Sequence, residues 1–532
     1  MFLLHPPIAP WCVADASGLQ LVLLASLPLP PGRVFVRTLP DNEEELIPMH
    51  ADGQQGALHR WRVRVPWDRG HALTLYAFVA ATPQGQRWLG ADGERGHVPP
   101  EAQHFRVHPD EQPPAWVREQ VFYQVLPARF APGVHGGDLV GLADRLPYVQ
   151  DELGATAIYL DPVFTATGSR RDDIGDGTQV DPHLGGNAGL ADLRVALHRR
   201  GMRLVLDAVV NHAGDDALWS DRSGHHDGRG VQPVISAAPD AVLRRWLRPP
   251  HAVDGWRLDV IHMLGDGPGA RNSARHVRAV RRAVREENPE AYVLGEHFSE
   301  ATRWLQGDQE DGAMNHHGFT QPLHAWLMGL ELAGLRVPID TAAFEAWLAQ
   351  AIAAIPYANQ LAQMNRLDSH DTPRLLTELG GDVERMKLAV TLLFTRPGVP
   401  CIHSGDETGL EGEADPDGRR CFDWDRRRWT MDLWAHYRQL ALTRHRRVEW
   451  RHGATVTLAT GDEWLAYARF TDNSATVVAV NRGPATRVAL PLDRLPLPPV
   501  RWQEADGTAV TTGAGGMELA LPARGSALVF SA

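Results

Sequence analysis

Hydrophobic and polar residues alternate along this chain in two different ways, and the change divides the sequence into three parts. In residues 1–112, short apolar runs such as LQLVLLASL and RVFVRTL alternate with Gly, Pro and Asp turns, which is typical of a β-sandwich. In residues 116–445, apolar strands alternate with longer helical segments. In residues 446–532 short strands return and predict a second β-sandwich.

The middle part carries the pattern of a (β/α)8 barrel. One of its helical segments has apolar residues at Val277, Val280 and Val284, the spacing of an amphipathic helix that packs on a barrel. Eight strand–helix units are needed to close such a barrel. The sequence therefore predicts an α/β fold, a TIM barrel between two β-sandwich domains. The candidate strands are VFYQVLP, TAIYLDPVF, MRLVLDAVV, VDGWRLDV, YVLGEHF, a weak one at 311–314, LAQMNRLD and GVPCIHSGDE.

Composition excludes several classes of protein. A net charge of −12 would repel nucleic acid and anionic lipid, so neither is expected as a partner. The apolar stretch 19–29 is too short to span a bilayer and has no basic segment before it, so no membrane or secretory segment is expected. Cys12, Cys401 and Cys421 are too few for a disulfide framework or a zinc cluster. We expect a cytoplasmic protein with free thiols.

Four short carboxylate-bearing segments occur in a fixed order along the predicted barrel strands. Acids at the C-terminal ends of several strands are what a barrel enzyme needs, because its active site is built at that face. A single Asp at a strand end is more often a cap or turn residue, whereas four such segments in order predict a site. They are DAVVNH at 207–212, GWRLDVIH at 255–262, GEHFSE at 295–300 and LDSHDTPR at 367–374.

These residue types fit the cleavage of a glycosidic bond. Cleavage with retention needs a carboxylate nucleophile and a carboxylic acid on either side of the bond, and Asp259 and Glu296 can supply them. Arg257 lies two residues before Asp259, so strand alternation points both side chains the same way and the guanidinium can keep Asp259 ionised. Asp371 is a third carboxylate for the transition state, and His370 can donate to sugar hydroxyls.

The predicted substrate-binding set is larger than these residues. It consists of His212, Arg257 and His370 together with Asp207 and Arg374 from the first and last segments. Two roles stay open for Asp207, which either contacts substrate or orients Arg257. The spacing of His, Cys and carboxylate residues does not match a metal site, so neither a metal nor another cofactor is expected.

The four segments resemble the signature regions of the α-amylase family, glycoside hydrolase family 13, and in particular its maltodextrin glucosidase, neopullulanase and cyclomaltodextrinase branch. The resemblance extends to GGDLVGLADRLPYVQDELGATAIYLDPVF, VDPHLGGN and FTRPGVPCIHSGDETGL. It implies a retaining double displacement on α-glucosidic bonds, with Asp259 as nucleophile, Glu296 as acid/base and Asp371 as transition-state stabiliser. It also implies that His212, Arg257 and His370 bind the sugar at the cleavage point. In this branch the N-terminal sandwich often crosses to a partner subunit, which leaves a homodimer and a monomer open.

The sequence departs from the family pattern at two places, and both concern substrate binding. The loop GSRRDDIGDGTQVD at 168–181 has no aromatic residue, and Asp172 and Gly177 stand where the family has tyrosines. Only 41 residues separate His212 from Asp254, so the domain that relatives insert after the third strand is reduced to about 213–238. Asn211 resembles a calcium ligand of some relatives, but the inserted domain that would complete that site is missing.

Three functions follow from these observations. The first is a hydrolase of α-glucosidic bonds, α-1,4 above all, in short maltodextrins or related α-glucosides. The second is a glucosyl transferase that uses the same covalent intermediate. The third is a carbohydrate-binding scaffold with impaired catalysis, which the complete set of three acids, Arg257 and both histidines disfavours.

Overall fold

The computed structural model describes most of the 532 residues, and every structural statement below concerns the described part. The described ranges are 1–30, 32–68, 70–133, 136–166, 174–209, 239–266, 269–332, 334–413, 417–498, 500–505, 510, 512–513 and 516–532. His212, Asp172 and the reduced insertion 213–238 therefore lie outside the described residues.

A parallel eight-stranded barrel forms the middle of the chain, as the sequence predicted. Seven strand pairs are hydrogen-bonded in register along the sheet. A parallel bridge between Met314 and Met364 joins the two ends of the sheet. In chain order the barrel strands are Phe122–Val125, Ala157–Leu160, Arg203–Val209, Gly255–Asp259, Tyr292–Gly295, Gly312–Ala313, Met364–Asn365 and Val399–His403.

Strand alternation separates an apolar outer core from the interior of the barrel. Outward-pointing residues such as Leu204 and Trp256 are buried against the helices. Inward-pointing residues such as Val205 and Leu294 form a separate apolar cluster inside the barrel. Further along the same strands the inward positions become polar, so buried charged residues gather at the C-terminal end of the barrel interior. The polar residues there are Gln124, Asp161, Asp207, Arg257, Glu296, Arg366 and His403.

The helices that surround the barrel follow their strands along the chain. None of the helices in the described ranges is long and apolar enough to cross a membrane. The α-helices from the barrel to the start of the C-terminal part are Pro127–Phe130, Leu139–Pro147, Gly186–Arg199, Pro239–Leu247, Ser273–Glu287, Gln321–Met328, Thr341–Ala353, Tyr357–Leu361, Leu375–Glu378, Val383–Thr395, Met431–Arg446 and Val448–His452.

Antiparallel sheets flank the barrel on both sides in sequence. The N-terminal part has one sheet of Leu3–Leu4, Cys12–Asp15, Gly18–Ala25, His50–Gln55 and Leu58–Val65. Its second sheet consists of Val34–Thr38, Glu45–Pro48, Thr74–Thr82, Gly85–Gly90, Gly93–Arg95 and Phe105–Val107. The C-terminal part has sheets of Ala454–Thr460, Trp464–Phe470, Ala475–Asn481, Trp502–Glu504 and Gly525–Ser531, and of Thr486–Pro491, Thr512–Gly513 and Gly516–Leu521.

The first and last parts of the chain share a hydrophobic core. Trp11 is fully buried, and its ring centroid lies 5.8 Å from that of Phe470 in an edge-on contact. Gln55 links the same surfaces, because its side chain accepts a hydrogen bond from the Trp11 indole and donates one to the carbonyl of Pro496. Gly56 approaches the carbonyl of Leu497 so closely that an added Cβ would lie 2.5 Å from that oxygen. The two flanking parts are thus packed as one unit.

Candidate active site

Three of the four carboxylate-bearing segments meet at one end of the barrel, and the fourth follows the seventh strand at the same end. Asp207 lies near the end of the third strand, and Arg257 and Asp259 lie in the fourth. Glu296 directly follows the fifth strand. Asp207 and Arg257 are opposite one another in the register of the third and fourth strands, which brings their side chains into contact inside the barrel.

Arg257 is the centre of the cluster and contacts three carboxylates. Its Nη1 atom donates to Oδ1 and Oδ2 of Asp207 at 2.9 and 3.0 Å, and to Oδ1 of Asp259 at 2.6 Å. Its Nη2 atom forms an ion pair with Oε1 of Glu296. The guanidinium is buried and is always charged, so it fixes the position of all three acids.

Asp207 lies behind Arg257 and is fully buried. In addition to the guanidinium it accepts a hydrogen bond of 2.6 Å from the hydroxyl of Tyr159 in the second strand. Burial raises the pKa of Asp207, and Arg257 and Tyr159 act in the opposite direction. With no exposed surface, Asp207 holds Arg257 from the interior, which fits the second of the two roles considered for it.

Asp259 and Glu296 are held by the same guanidinium, Asp259 on Nη1 and Glu296 on Nη2 of Arg257, and the ionisation of one affects that of the other. Burial and the charge of Glu296 raise the pKa of Asp259 to about 7, although Arg257 opposes this shift. Burial also opposes ionisation of Glu296, but Arg257, the Val260 amide and Arg366 outweigh it and lower the pKa of Glu296 to about 2. These directions are the reverse of the expectation that Arg257 keeps Asp259 ionised. Between the two pKa values the coupled pair carries one proton, which is assigned to the pair and not to either residue alone.

The backbone around the pair is shaped to hold Glu296. The amide of Val260 donates to Oε2 of Glu296 at 3.1 Å, and Val260 adopts a left-handed conformation with φ of 33° that is costly for a β-branched residue. Gly295 is needed beside it, because an added Cβ would lie 2.0 Å from a carboxylate oxygen of Glu310. Glu310 in turn contacts Nε2 of His297 at 2.9 Å. These contacts fix the backbone on both sides of the acid.

Exposure distinguishes the two members of the pair. The side chain of Asp259 is 19% exposed, whereas that of Glu296 is 2% exposed. Asp259 is therefore the more open of the two to the end of the barrel.

The His370–Asp371 segment forms a second cluster beside the first. Nε2 of His370 lies 3.2 Å from Oδ2 of Asp371, and its Nδ1 lies 3.2 Å from Asp161 and 2.8 Å from the amide nitrogen of Gln124. Burial opposes protonation of His370, but Asp161 and Asp371 outweigh it and raise its pKa to about 9. Arg419 donates to the carbonyl of His370 at 3.0 Å and to Oδ1 of Asp371 at 3.3 Å.

Asp371 is the most open of the three predicted catalytic acids, with 34% of its side chain exposed. The structure thus brings Asp207, Arg257, Asp259 and Glu296 into direct contact. It places His370 and Asp371 in the neighbouring cluster.

Arg374 has a different environment from the other predicted substrate-binding residues. Its guanidinium is buried and donates to Oδ1 of Asp406 at 2.7 Å, to the carbonyl of Ser404 at 3.0 Å and to that of Gly418 at 3.2 Å. These three partners belong to the segments after the eighth strand. Arg374 therefore ties the loop that carries Asp371 to those segments.

One group of side chains in the described part of the chain could supply metal ligands. Ligand atoms of Asp368, His403 and Asp406 lie within 4.8 Å of one another and are buried. Protein groups already occupy them, because His403 lies 2.8 Å from Oδ1 of Asp368 and the Leu375 amide donates to its Oδ2 at 2.7 Å. The Arg374 guanidinium supplies positive charge to Asp406, so this group is an internal ion-pair network.

Sequence reasoning missed several residues of the site. Gln124, Tyr159 and Asp161 come from the first two strands, and Arg419 comes from a loop after the last strand. A detectable signal existed for Gln124 and Asp161, because each is a polar residue within or directly after an apolar strand. Arg419 has no such signal, since its position depends on how the last loop folds back over His370.

The sequence matches the model of a known protein family. The family profile described as "Alpha amylase, catalytic domain" matches residues 124–233 and 230–476. The chain belongs to the α-amylase family. It is therefore a glycoside hydrolase, in agreement with the resemblance that the sequence segments showed.

Individual relatives of this α-amylase family member point to one branch. A cyclomaltodextrinase from Bacillus sp is 32% identical over 433 residues, which cover 70% of this chain and 74% of that protein. Neopullulanase 2 from Thermoactinomyces vulgaris is 32% identical over 486 residues, which cover 78% of this chain and 79% of that protein. A solved cyclomaltodextrinase structure has a TM-score of 0.75 at 27% identity and covers 100% of this chain and 99% of its own.

Proposed function

We propose that this protein is a retaining hydrolase of α-glucosidic bonds, α-1,4 above all, in short maltodextrins or related α-glucosides. The observation that carries this proposal is the contact of Arg257 with both Asp259 and Glu296, which holds two carboxyl groups on one guanidinium at the end of the barrel. A retaining enzyme needs one ionised and one protonated carboxyl group about 5 to 5.5 Å apart.

The guanidinium that Asp259 and Glu296 share favours retention over inversion. An inverting enzyme keeps its carboxyl groups about 6.5 to 9.5 Å apart, because a water molecule must fit between one of them and the sugar. Asp259 and Glu296 instead contact the two terminal nitrogens, Nη1 and Nη2, of the single Arg257 guanidinium, which keeps them close together.

The proposed reaction has two steps. In the first, Asp259 attacks the anomeric carbon, and Glu296 gives its proton to the leaving oxygen. In the second, Glu296 takes a proton from water, which attacks the same carbon and releases Asp259. In the proposed reaction the single proton of the pair is on Glu296 when a sugar is bound, and Arg257 stabilises the ionised Asp259.

The second cluster provides the groups that would hold the sugar ring. Protonated His370 can donate to a ring hydroxyl, and the exposed carboxylate of Asp371 can accept from others. Transition-state charge on the sugar would be stabilised by Asp371, because it is negative and open to the end of the barrel. His212 belongs to this proposal through its place in the first segment.

An exposed aromatic residue two positions after Glu296 in the sequence could bind a second sugar. The Phe298 side chain is 40% exposed and stacks on the ring of His316, with centroids 4.9 Å apart and an interplanar angle of 17°. An aromatic face fixed in this way can stack against a sugar ring. The sequence lacks an aromatic residue in the loop at 168–181, so Phe298 offers a flat surface on the acid/base side instead.

The proposal predicts better activity on short substrates than on starch. The reduced insertion and the polar residues around Asp172 remove much of the surface that would hold a long glucan. Sugar stacking contributes on the order of 1 kcal/mol, which corresponds to roughly a fivefold difference in binding. Loss of one stacking residue therefore redirects substrate preference without removing the chemistry.

The test is a product profile with defined substrates. Maltotriose, a cyclic maltodextrin and soluble starch are each incubated with the protein, and the first-formed anomer is read by NMR. Release of the α-anomer from the short substrates, faster than from starch, supports the proposal. The β-anomer contradicts retention, strong thinning of starch contradicts the substrate preference, and no product from any substrate favours a binding scaffold.

The same profile distinguishes hydrolysis from glucosyl transfer. Transfer would produce oligosaccharides longer than the maltotriose supplied, whereas hydrolysis produces only shorter ones. In the variant Asp172→Tyr, which restores an aromatic residue to that loop, we expect activity on longer glucans to rise.

The proposal extends to location and assembly. Three unpaired cysteines, Cys12, Cys401 and Cys421, fit a reducing cytoplasm. A homodimer that uses the N-terminal sandwich is the assembly proposed, and light scattering at micromolar concentration tests it against a monomer.

A further inference from the structure

A cleft of about 600 Å³ lies where the three parts of the chain meet. Its walls come from the N-terminal sheets, from the helix Thr341–Ala353 of the barrel and from the strand Ala454–Thr460 of the C-terminal part. The lining residues in the described part of the chain include no member of the candidate active site. A volume of roughly 300 to 1,000 Å³ is typical of sites that hold small molecules.

The helix Thr341–Ala353 forms one wall of this cleft with small side chains. Ala342, Ala346 and Ala349 follow one another at spacings of four and three residues, so they lie on one face of the helix, and all three line the cleft. Ala342 and Ala346 are exposed, and Ala349 is half-buried. Larger side chains at these positions would occupy the cleft, whereas alanine leaves it open.

Arg396 brings a buried positive charge to the same cleft. Its side chain is 4% exposed and belongs to the lining. The guanidinium lies 4.8 Å from the ring centroid of Tyr467, and its Nη1 atom lies 3.9 Å from Oε2 of Glu345. The second distance is too long for a hydrogen bond. Among the described residues the Arg396 guanidinium therefore has ring and ion-pair contacts but donates no hydrogen bond.

Glu345 places an acceptor beside these donors. Its Oε1 atom accepts a hydrogen bond from the hydroxyl of Thr457 in the C-terminal part. Its Oε2 atom, which is the one near Arg396, is buried and has no hydrogen-bond partner within the described ranges. Burial raises the pKa of Glu345, although Arg396 and Thr457 act in the opposite direction. A donor group and an acceptor atom thus line one cleft without satisfying each other, and buried polar groups normally have partners.

The chemistry of these two groups selects a neutral hydroxyl compound. A hydroxyl carries both a donor and an acceptor, so it can accept from Arg396 and donate to Glu345 at the same time. An anion would meet the carboxylate of Glu345, and a cation would meet the guanidinium of Arg396. The alanine face of the helix adds an apolar surface, which suits the C–H groups of a sugar ring.

We propose that this cleft is a second carbohydrate site, which binds a neutral sugar of one or two rings through Arg396 and Glu345. One hydroxyl of the sugar bridges the guanidinium and Oε2 of Glu345, and the ring lies against the helix at Ala346. A sugar bound there is not cleaved, since neither member of the carboxylate pair lines the cleft. Because the walls come from all three parts of the chain, the bound sugar stabilises the folded protein as a whole.

The first experiment counts the sugars that each chain binds. Equilibrium dialysis with labelled maltose is carried out in the Asp259→Asn background to prevent cleavage, and with labelled glucose, which has no bond to cleave, in the wild-type background. Ala346→Trp fills the cleft, so this variant should bind one sugar fewer per chain than Ala343→Trp. The latter is a matched control, because Ala343 is an exposed residue of the same helix that does not line the cleft.

The second experiment tests the polar pair. Glu345→Leu removes the acceptor, so the affinity of the cleft for maltose should fall about tenfold or more. Glu345→Gln keeps an acceptor of the same shape and should lose less. The increase in Tm that maltose causes is measured in parallel, and it should be smaller in Glu345→Leu than in Glu345→Gln. The Tm of each variant without sugar shows whether the substitution itself disturbs the fold.

The third experiment tests the charge of the ligand. Glucuronate and glucosamine carry a negative and a positive charge on the ring of glucose, and both should bind the cleft more weakly than glucose does. Tighter binding of either charged sugar would overturn the proposal. Equal numbers of bound sugars in Ala346→Trp and Ala343→Trp would overturn it as well.

These outcomes are independent of the proposed function. If the wild type cleaves no α-glucoside, the hydrolase proposal fails, and the difference in bound sugar between Ala346→Trp and Ala343→Trp still decides whether the cleft is a site. If the wild type cleaves maltotriose and the two variants bind sugar equally, only the second site is refuted.

Discussion

Nη1 of Arg257 lies 2.6 Å from Oδ1 of Asp259, and this same nitrogen also donates to the fully buried Asp207. One nitrogen thus connects the proposed nucleophile to an anchor in the barrel interior. Any change at Asp207 or Tyr159 is transmitted to Asp259 through this single atom. The position of the nucleophile is therefore set by residues that no substrate can reach.

Removal of the nucleophile should abolish turnover with the fold intact. Asp259→Asn keeps the shape of the side chain but cannot form the covalent intermediate, and kcat should fall by at least about a thousandfold. Glu296→Gln should lower kcat on maltotriose by about a hundredfold to ten-thousandfold, and by less on a substrate whose leaving group needs no proton. Asp340→Asn is a matched control, since Asp340 caps a distant helix and asparagine caps equally well. Near-normal activity of Asp259→Asn would contradict the assignment.

Activity should depend on the single proton of the Asp259–Glu296 pair. Since the pKa of Asp259 is raised to about 7 and that of Glu296 is lowered to about 2, the singly protonated pair predominates between these values. We expect kcat/KM to fall as pH rises through about 7, because the pair then loses the proton that the leaving group needs. Initial rates measured at low substrate concentration over a series of pH values give this fall in kcat/KM. A rate that continued to rise above pH 8 would be inconsistent with a proton-donating pair.

His370 should make stability depend on pH in the neutral and alkaline range. Its folded-state pKa of about 9 lies above its ordinary value of 6.5, so the folded state binds the proton more tightly than the unfolded state. The resulting stability is fully present below pH 6.5 and is lost as pH rises through about 9. Its size is up to about 3 kcal/mol. Urea unfolding of wild type and His370→Gln at several pH values measures this contribution. If the free energy of unfolding depended on pH in the same way in both proteins, the prediction would be wrong.

Tyr159 should matter although it cannot touch substrate. Tyr159→Phe removes a hydrogen bond to the buried carboxylate of Asp207, which should lower the free energy of unfolding by about 2 kcal/mol and reduce kcat through Arg257. Tyr123→Phe is the matched control, because Tyr123 donates a bond of 2.7 Å to the buried carboxylate of Glu407, which does not contact Arg257. Equal losses of kcat in both variants would show a general effect on the barrel instead.

Chelation should leave activity intact. The group formed by Asp368, His403 and Asp406 is already engaged by Arg374 and the Leu375 amide, and cleavage by a carboxylate pair needs no metal. We expect the rate on maltotriose to be the same after dialysis against EDTA as after dialysis against buffer alone. If activity were lost after EDTA treatment and restored by added calcium, this expectation would be overturned. Asn211 would then be the first residue to test as a calcium ligand.

The barrel and its main acids could be predicted from sequence because strand periodicity is local information. Asp207, Arg257 and Asp259 occupy alternate positions of adjacent strands, so their common direction follows from the strand pattern alone. The same rule identifies Glu296 at the end of the next strand. The predicted eight strands and both flanking sets of sheets are confirmed by the structure.

Other contacts depend on distant segments and were not predictable. Arg374 stands in a signature segment, yet its partners Asp406 and Gly418 come from loops after the last strand, which the segment itself does not reveal. Arg366 was overlooked for a different reason. It stands in the apolar run LAQMNRLD, where an arginine is easily taken for a solvent-exposed strand end, and only the closed barrel shows that it is buried.

The core that Trp11 shares with Phe470 has a consequence for the synthesis of the protein. The N-terminal strands leave the ribosome first, but the surface around Trp11 is covered only when the last strands have been made. An apolar face is therefore uncovered while the whole barrel is being translated, and exposed surface of this kind favours aggregation. The nascent chain should bind chaperones at its beginning until its end emerges.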